Sequence, residues 1–574
     1  MSTKKIILII VAVLIVLIAL SFWTGRQMSK FSPANAGMTP ISAGSWLHLN
    51  PKAYVPEYSE IMPINWFGMK EMNSMQGLVA KIRAAKNDKR IEGILIEPMG
   101  VQISYASLNE LELAIQDFKT SGKPVVAFGD MMGQGDYMLA SFADQVYMDP
   151  SASAGLLLTG SSANVTFYKE LFDKIGVKMH VIQAGEFKGA GEPYSQTSLS
   201  EGTRANIAEA LSDRFNLLVD GIAKRRNITT DDVLAVYNNR DDLFISAKQA
   251  LQMKLIDKAD SRQALMDQYA IGKNKLVSFS SYTERPELGK NNLVAVIYLE
   301  GNIMPGYGSM SQSVISHEKV RRIVKSIEDD PAVKAVVVRV NSPGGSALES
   351  EYIYRELKHL SDKVPMVISM GGTAASGGYY ISCAGQYIYA DPGTLTGSIG
   401  VIMMLPELTG LSRKVGLRSQ TIKYGKFAGA LNPMEAYSPE LIASLKRNSQ
   451  GTYDEFKARV MTARNISPDK INSIAEGRVY SAEDAMAIDL VDEIGSLDTA
   501  IAKAAELAKL SDYRTGIFPI KKSIFEFLKD SDFMNMQIKN LLKYRHLNLE
   551  ELTDALPDMI ETNSWLYLMP IKVD

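Results

Sequence analysis

Apolar residues are spread along this chain in two contrasting ways. The first is an unbroken run from Ile6 to Trp23, 18 residues of which only Ser21 is polar. At a rise of ~1.5 Å per residue a helix of that length reaches roughly 27 Å, enough to cross most of a bilayer's hydrocarbon core. Lys4 and Lys5 precede it, and Arg26 and Lys30 follow. A cleaved signal peptide starts in a similar way, but its apolar stretch is shorter and ends in small residues, whereas this one ends in Phe22 and Trp23. Residues 1–30 are therefore expected to be an uncleaved single-pass anchor that meets lipid through residues 6–23. The two lysines and the amino terminus favour a cytoplasmic start, placing everything after Trp23 on the periplasmic or extracellular side of the inner (cytoplasmic) membrane.

The second way is an alternation of short apolar runs with longer amphipathic stretches, which predicts βα units with parallel strands covered by helices. The alternation is written twice. Ile91–Gly100 matches Val333–Gly345, and Lys123–Phe128 matches Val364–Ser369. Asp391 follows Asp149 by 242 positions, Gly425 follows Gly185 by 240, and Ser481 follows Ser246 by 235. An offset this constant predicts a duplicated domain. The polar, turn-rich segment Thr283–Asn292 separates the copies. The expected units are 45–282, 283–510 and a C-terminal helical extension at 511–574, where an apolar-spaced stretch runs from Met534 to Leu549.

Composition narrows the chemistry. The formal net charge of −2 over 574 residues leaves no electrostatic footprint for nucleic acid. Cys383 is the only cysteine. It excludes an intramolecular disulfide and a cysteine-built metal site, and its small and apolar neighbours predict a buried thiol. No phosphate-loop or dinucleotide fingerprint follows a strand-like run, and no metal or organic cofactor is expected.

Three glycine motifs of the second copy do follow strand-like runs: Asn341–Ser346, Gly371–Tyr380 and Thr394–Gly400. Ser376 begins a predicted helix, where a hydroxyl projects from the turn and the following N–H is unpaired. That N–H, on Gly377, with one from Gly344 or Gly345 (Gly345 preferred), makes a candidate oxyanion hole. A serine nucleophile needs a base. The five histidines, His48, His180, His317, His359 and His546, all lie outside the glycine motifs, so a Ser-His-Asp triad is poorly supported. The other solution is a lysine kept neutral by burial. Across the duplication Ser376 aligns with Gln134 and Lys188 with Ala428, so each copy holds what the other lacks, and a composite site between copies is expected.

Together, Ser342–Ser346, Ala374–Tyr379, Leu395–Gly400 and Gly185–Pro193 make residues about 45–510 resemble the signal peptide peptidase A (protease IV) family in its long duplicated form. The resemblance implies two tandem ClpP/crotonase-like domains and a Ser-Lys dyad. In it Ser376 attacks the peptide carbonyl, Lys188 is the general base and Ser398, which aligns with Leu156, supports the lysine. It further implies a homotetramer and, as substrates, signal peptides left in the membrane after precursor cleavage. Two other readings remain: a crotonase-like acyl-CoA enzyme, which would have no use for Lys188, and a catalytically inactive membrane scaffold.

Overall fold

The computed structural model describes residues 41–58, 74–282, 291–306 and 314–518, with a short strand at Leu566–Leu568. The expected anchor at 6–23 and most of the C-terminal extension lie outside the described residues.

The apolar runs form two sheets whose parallel strands share one order, the second also carrying Leu395–Gly397 beside Met366–Ala375, with Val479–Ser481 antiparallel to Leu395–Gly397. In the first half the order is Lys258–Ala259, Gln145–Met148, Val125–Gly129, Ile91–Ile96, Ser45–Leu49, Leu276–Ser278. In the second it is Glu493–Ile494, Tyr387–Ala390, Met366–Ala375, Val333–Ser342, Leu293–Glu300, Arg514–Phe518. Runs such as Leu293–Glu300, buried at every residue, suit this architecture because helices cover both faces. Alternate residues serve the two faces. Ile94, Ile96, Val125 and Ala127 enter one core, while Leu95, Val126 and Phe128 pack with Leu265 and Met266 of the helix Arg262–Gln268. Likewise Val336, Val338, Ile368 and Met370 face one core, and Val337 and Val367 meet Ala500 and Ala504 of the helix Leu497–Leu507. Each fully buried Val, Leu or Ile contributes roughly 1.5–3 kcal/mol.

The repetition extends to single contacts. The Tyr137 hydroxyl donates to Leu255 O at 2.7 Å, and the Tyr379 hydroxyl to Leu490 O at 2.8 Å. Arg226 forks onto Asp257 as Arg464 forks onto Asp492. The helices Glu201–Arg226 and Pro439–Arg464 each start on a serine cap and end on a left-handed asparagine, Asn227 and Asn465. One expectation changes: Arg514–Phe518, assigned from sequence to the extension, is an edge strand of the second sheet, parallel to Leu293–Glu300. Its short run, broken by Gly516, becomes a strand because that neighbour offers an open edge. Leu566–Leu568 is likewise strand rather than helix, antiparallel to Gly344–Ser346.

Two seams join the halves. The strand Lys178–Ala184 of the first pairs antiparallel with Val401–Glu407 of the second. Elsewhere the helix Tyr105–Lys119 drives its N-terminus into the second half. A Cβ on Gly372 would sit 2.7 Å from Ser104 Cβ, and one on Gly393 would sit 2.3 Å from Tyr105 Cβ. These glycines admit a helix, not a ligand. Beside them Arg339, 1% exposed, meets Glu57 at 3.2 Å and Glu110 at 3.6 Å.

Burial raises the Glu110 carboxyl to about 7 and the Asp391 carboxyl to about 6, against the pull of Arg339. In the fold both keep protons that the unfolded chain has already lost, so their contribution to stability falls as pH rises from about 4 to about 7. Glu110→Gln removes one such group while keeping an acceptor for the Leu497 N–H. In thermal unfolding the variant should match the parent near pH ~4 and exceed it above pH ~7. A constant difference between the two across that range would contradict the assignment.

Candidate active site

Ser376 stands where the strand Met366–Ala375 gives way to the helix Gly377–Ser382. Its backbone is held at φ +57° and ψ −118°, and its N–H donates to Gly397 O at 2.8 Å. A non-glycine residue there costs about 1–3 kcal/mol and persists only where its surroundings over-determine it. The surroundings do so. A Cβ on Gly378 would lie 2.5 Å from Ser342 O, and one on Gly377 would lie 2.6 Å from Ser350 Oγ and 3.2 Å from Gly344 Cα. The Ser-Gly-Gly sequence thus lets the helix start press against the Ser342–Ser346 loop.

That packing brings the two oxyanion candidates together. The Gly377 N–H opens its helix and has no acceptor within it. The Gly344 N–H already donates to Ser342 Oγ at 3.2 Å, which leaves Gly345 as the second candidate. Gly345, at φ +153°, stands in register with Ile303 on one side and Tyr567 on the other.

Lys188 arrives from the other half. The strand Lys178–Ala184 ends in a turn at Gly185, where Phe187 N–H donates to Glu476 O at 2.7 Å. The amine then runs inward beneath Gly400, whose Cβ would lie 3.2 Å from Lys188 Cδ. Lys188 and Ser376 are both 0% exposed, and Lys188 Nζ lies 2.8 Å from Ser376 Oγ. It also lies 2.7 Å from Ser398 O and 2.9 Å from Ser398 Oγ. Ser398, like Ser376, has a left-handed backbone (φ +52°), and its N–H donates to Arg478 O. Burial holds the Lys188 amine well below the usual lysine range. An uncharged amine has two N–H donors and one lone pair. The Lys188 nitrogen reaches both Ser398 oxygens as a donor and stands within hydrogen-bond distance of the Ser376 hydroxyl.

The structure thus gathers Ser376, Lys188 and Ser398 within hydrogen-bond reach, with Gly377 and Gly345 on the adjoining loops. The described histidines lie elsewhere, on carboxylates: His48 with Glu97, His180 with Glu407, His317 with Glu356 and His359 with Glu328. Cys383 is buried, its thiol pushed up to about 12 by burial. Among the described residues no group of acids, histidines or cysteines could hold a metal ion.

Three supports went unseen in the sequence. Gly477 (φ +80°) leaves room for the lysine, since a Cβ there would lie 2.6 Å from Lys188 N. Glu192 accepts from Ser200 N–H, Ser200 Oγ and Thr203 Oγ1, tying the turn after Lys188 to the start of a 26-residue helix. From that helix the Asn206 amide crosses to the Val479 backbone with two 2.8 Å bonds. The repeat held a clue: at the 235 offset Gly477 faces Asp242, a glycine gained where the lysine docks.

Comparison with known proteins identifies the family. The family model described as peptidase family S49 matches residues 117–275 and 358–511. Protease 4 of Salmonella typhi is 33% identical over 474 residues, covering 80% of this chain and 76% of its own. Protease 4 of Haemophilus influenzae is 32% identical over 521 residues, covering 83% and 81%. The chloroplastic serine protease SPPA of Arabidopsis thaliana is 30% identical, covering 74% and 64%. Among solved structures, a ClpP1 variant from Listeria monocytogenes aligns with a TM-score of 0.24 at 14% identity, over 36% of this chain and 94% of its own, too weak to assign a fold. On the family model and the relatives alike, the chain belongs to peptidase family S49 and is a serine protease.

Proposed function

We propose that this protein is a membrane-anchored serine endopeptidase that uses a Ser376–Lys188 dyad to degrade cleaved signal peptides in or at the membrane, on two tandem ClpP/crotonase-like domains. The observation that carries the reading is the 2.8 Å approach of a fully buried lysine amine to a fully buried, backbone-strained serine. The neutral amine takes the Ser376 proton as Oγ attacks the peptide carbonyl. Ser398 holds the resulting ammonium through its two oxygens. The Gly377 and Gly345 N–H groups stabilise the oxyanion, each worth about 3 kcal/mol. Lys188 then passes its proton to the leaving amine, and water releases the acyl group. The strand Leu566–Leu568 beside Gly344–Ser346 supports an extended peptide as substrate, because this edge accepts an added antiparallel strand. Among the relatives, one from Enterococcus faecium is named a putative signal peptide peptidase.

An acyl-CoA enzyme of the same scaffold would have no use for a buried lysine, and an inactive scaffold would gain nothing from two strained serines around it. Ser376→Ala and Lys188→Met should each lower hydrolysis of a leucine-containing peptide at least ~10⁴-fold, with circular dichroism and oligomer size unchanged. The parent's rate should fall as pH drops and Lys188 takes up a proton. Peptide cleavage by Lys188→Met, or turnover of a CoA thioester, would exclude the dyad reading.

Among the described residues no helix is long and apolar enough to cross a membrane, so anchoring is assigned to residues 6–23, with the catalytic domains on the periplasmic or extracellular side of the inner membrane. The full chain should sediment with membranes and resist high-salt washing, and deletion of residues 1–30 should release it. Sedimentation of the deleted chain with washed membranes would place the anchor elsewhere.

The chain should also assemble as a homo-oligomer, a tetramer by family resemblance. The pairing of Lys178–Ala184 with Val401–Glu407 has a counterpart left unused. Residues 418–424 correspond to the first strand and 159–165 to the second, and neither is in a strand. Ile422 is 84% exposed and Tyr424 91%. Repeating the internal joint from chain to chain joins these edges head to tail, and such a contact closes into a ring when its rotation allows. Ile422→Asp with Tyr424→Asp should yield monomers in sedimentation, and an unaltered oligomer would rule this joint out.

A further inference from the structure

Among the described residues Arg339 is the largest fully buried side chain, and the catalytic chemistry leaves it unused. It lies on the central strand of the second sheet, yet two of its partners come from the first half. Nη2 meets Glu57 Oε1 at 3.2 Å, and Nη1 stands 3.6 Å from Glu110 Oε1. Nη1 also donates to Ser369 Oγ at 2.9 Å and to Met370 O at 3.3 Å. Asp391 faces the same guanidinium, and accepts from Asn109 of the first half at 2.7 Å and from Gly393 N–H at 3.0 Å. The Tyr298 ring completes the ionisable neighbours, and Glu300, in contact with the Glu57 backbone, lies one step out.

What this cluster touches is informative. Ser369 lies on the strand that ends at Ala375, seven residues before Ser376, and Asp391 lies seven before Ser398. Arg339 itself lies on the strand that ends at Ser342, next to the Gly344–Ser346 edge. All three segments that present the nucleophile, the lysine's partner and the oxyanion donors thus lead out of one cation. Meanwhile burial is what holds the Lys188 amine below the usual lysine range. The acids nearest in its own packing are spent elsewhere: Glu192 on Ser200 and Thr203, and Glu476 on Glu186 N–H and Tyr453. A base held neutral by dryness alone is only as good as the closure of the seam around it.

We propose that Arg339 is a positioning residue for the reaction: by gripping Glu57 and Glu110 of the first half against Asp391 of the second, it sets the closure at which Lys188 is dry and aligned on Ser376. The guanidinium suits this role because it is always charged and its donors fan out in one rigid plane, which a lysine cannot copy. The proposal rests on the Ser376–Lys188 reading, and the test separates the two.

The test is the pH profile of kcat/KM for a soluble peptide, measured on the full-length protein. In Arg339→Met the grip at the Tyr105–Lys119 seam is lost and the halves shift, so water enters at the other seam beside Lys188, the lysine regains part of its ordinary basicity, and the acid limb should move up by about one pH unit. At pH ~7 kcat should fall about tenfold with KM changed less than about threefold, and Arg339→Lys should recover only part of the loss. A merely structural arginine would reduce the amplitude in proportion to folded protein and leave the limb in place, which would overturn the proposal. Should Arg339→Met fail to fold, the triple variant Arg339→Met, Glu57→Gln, Glu110→Gln relieves the unpaired acids and decides the matter. A displaced limb supports the positioning role, and a parental limb refutes it. If Lys188→Met is also active, the dyad reading falls. If Lys188→Met is dead but the Arg339 variants keep the parental limb, only this inference falls.

Discussion

A lysine amine removed from water on every side is the interaction on which the rest of this structure depends. Burial raises the free energy of the ammonium form and so holds the amine well below the usual lysine range, which is the condition the proposed proton transfer from Ser376 needs. The condition is demanding because Lys188 is supplied by one half of the chain and its three contacts, Ser376 Oγ and the two Ser398 oxygens, by the other. No single half can desolvate it. The antiparallel pairing of Lys178–Ala184 with Val401–Glu407 carries the lysine to the joint, and Asn206 and Glu192 fix the turn that follows. Main-chain pairing fixes where the strand ends, since a slip of one residue would displace the Gly185 turn from which Lys188 reaches inward.

Glycine does a related job in the second half. At Gly477, Gly377 and Gly378 an added Cβ would fall 2.5–2.6 Å from a backbone atom or a buried hydroxyl. These glycines are absences of volume through which one element reaches another: Lys188 beside Gly477, the Ser342 loop beside Gly378. Their arrangement lets Ser376 and Ser398 be held in left-handed backbone conformations by close packing of the neighbouring segments.

Much of this was legible in the sequence, and for a reason that can be named. Duplication supplies an internal comparison, and Gln134 opposite Ser376, Ala428 opposite Lys188 and Leu156 opposite Ser398 marked positions at which one half carries a reactive or polar group that the other lacks. The parallel strands were equally accessible, because runs such as Ala335–Val338 are apolar on both faces. What stayed hidden was cross-half contact. Arg339 sits within such a run, but nothing local announces that its partners are Glu57 and Glu110, more than 200 positions away. Gly371–Gly372 reads as a ligand loop until Ser104 is seen against it. Arg514–Phe518 reads as tail until Leu293–Glu300 offers its edge. Local patterns determine elements, whereas partners at long range determine which polar residues are buried.

The division of the site across two halves also explains why charge is tolerated at the seam. An apolar joint would close more cheaply, since burying ions costs several kcal/mol each and their attraction often only offsets it. It would, however, allow many nearly equivalent closures, because apolar surfaces slide. Arg339, held to Glu57 and Ser369 by directed bonds and facing Glu110 and Asp391, allows very few. Two of those carboxyls are pushed up by burial, to about 7 and about 6, so the cluster reaches a tolerable charge by keeping protons. Stability is given up for a single closed register, and a base that works only when dry requires that register.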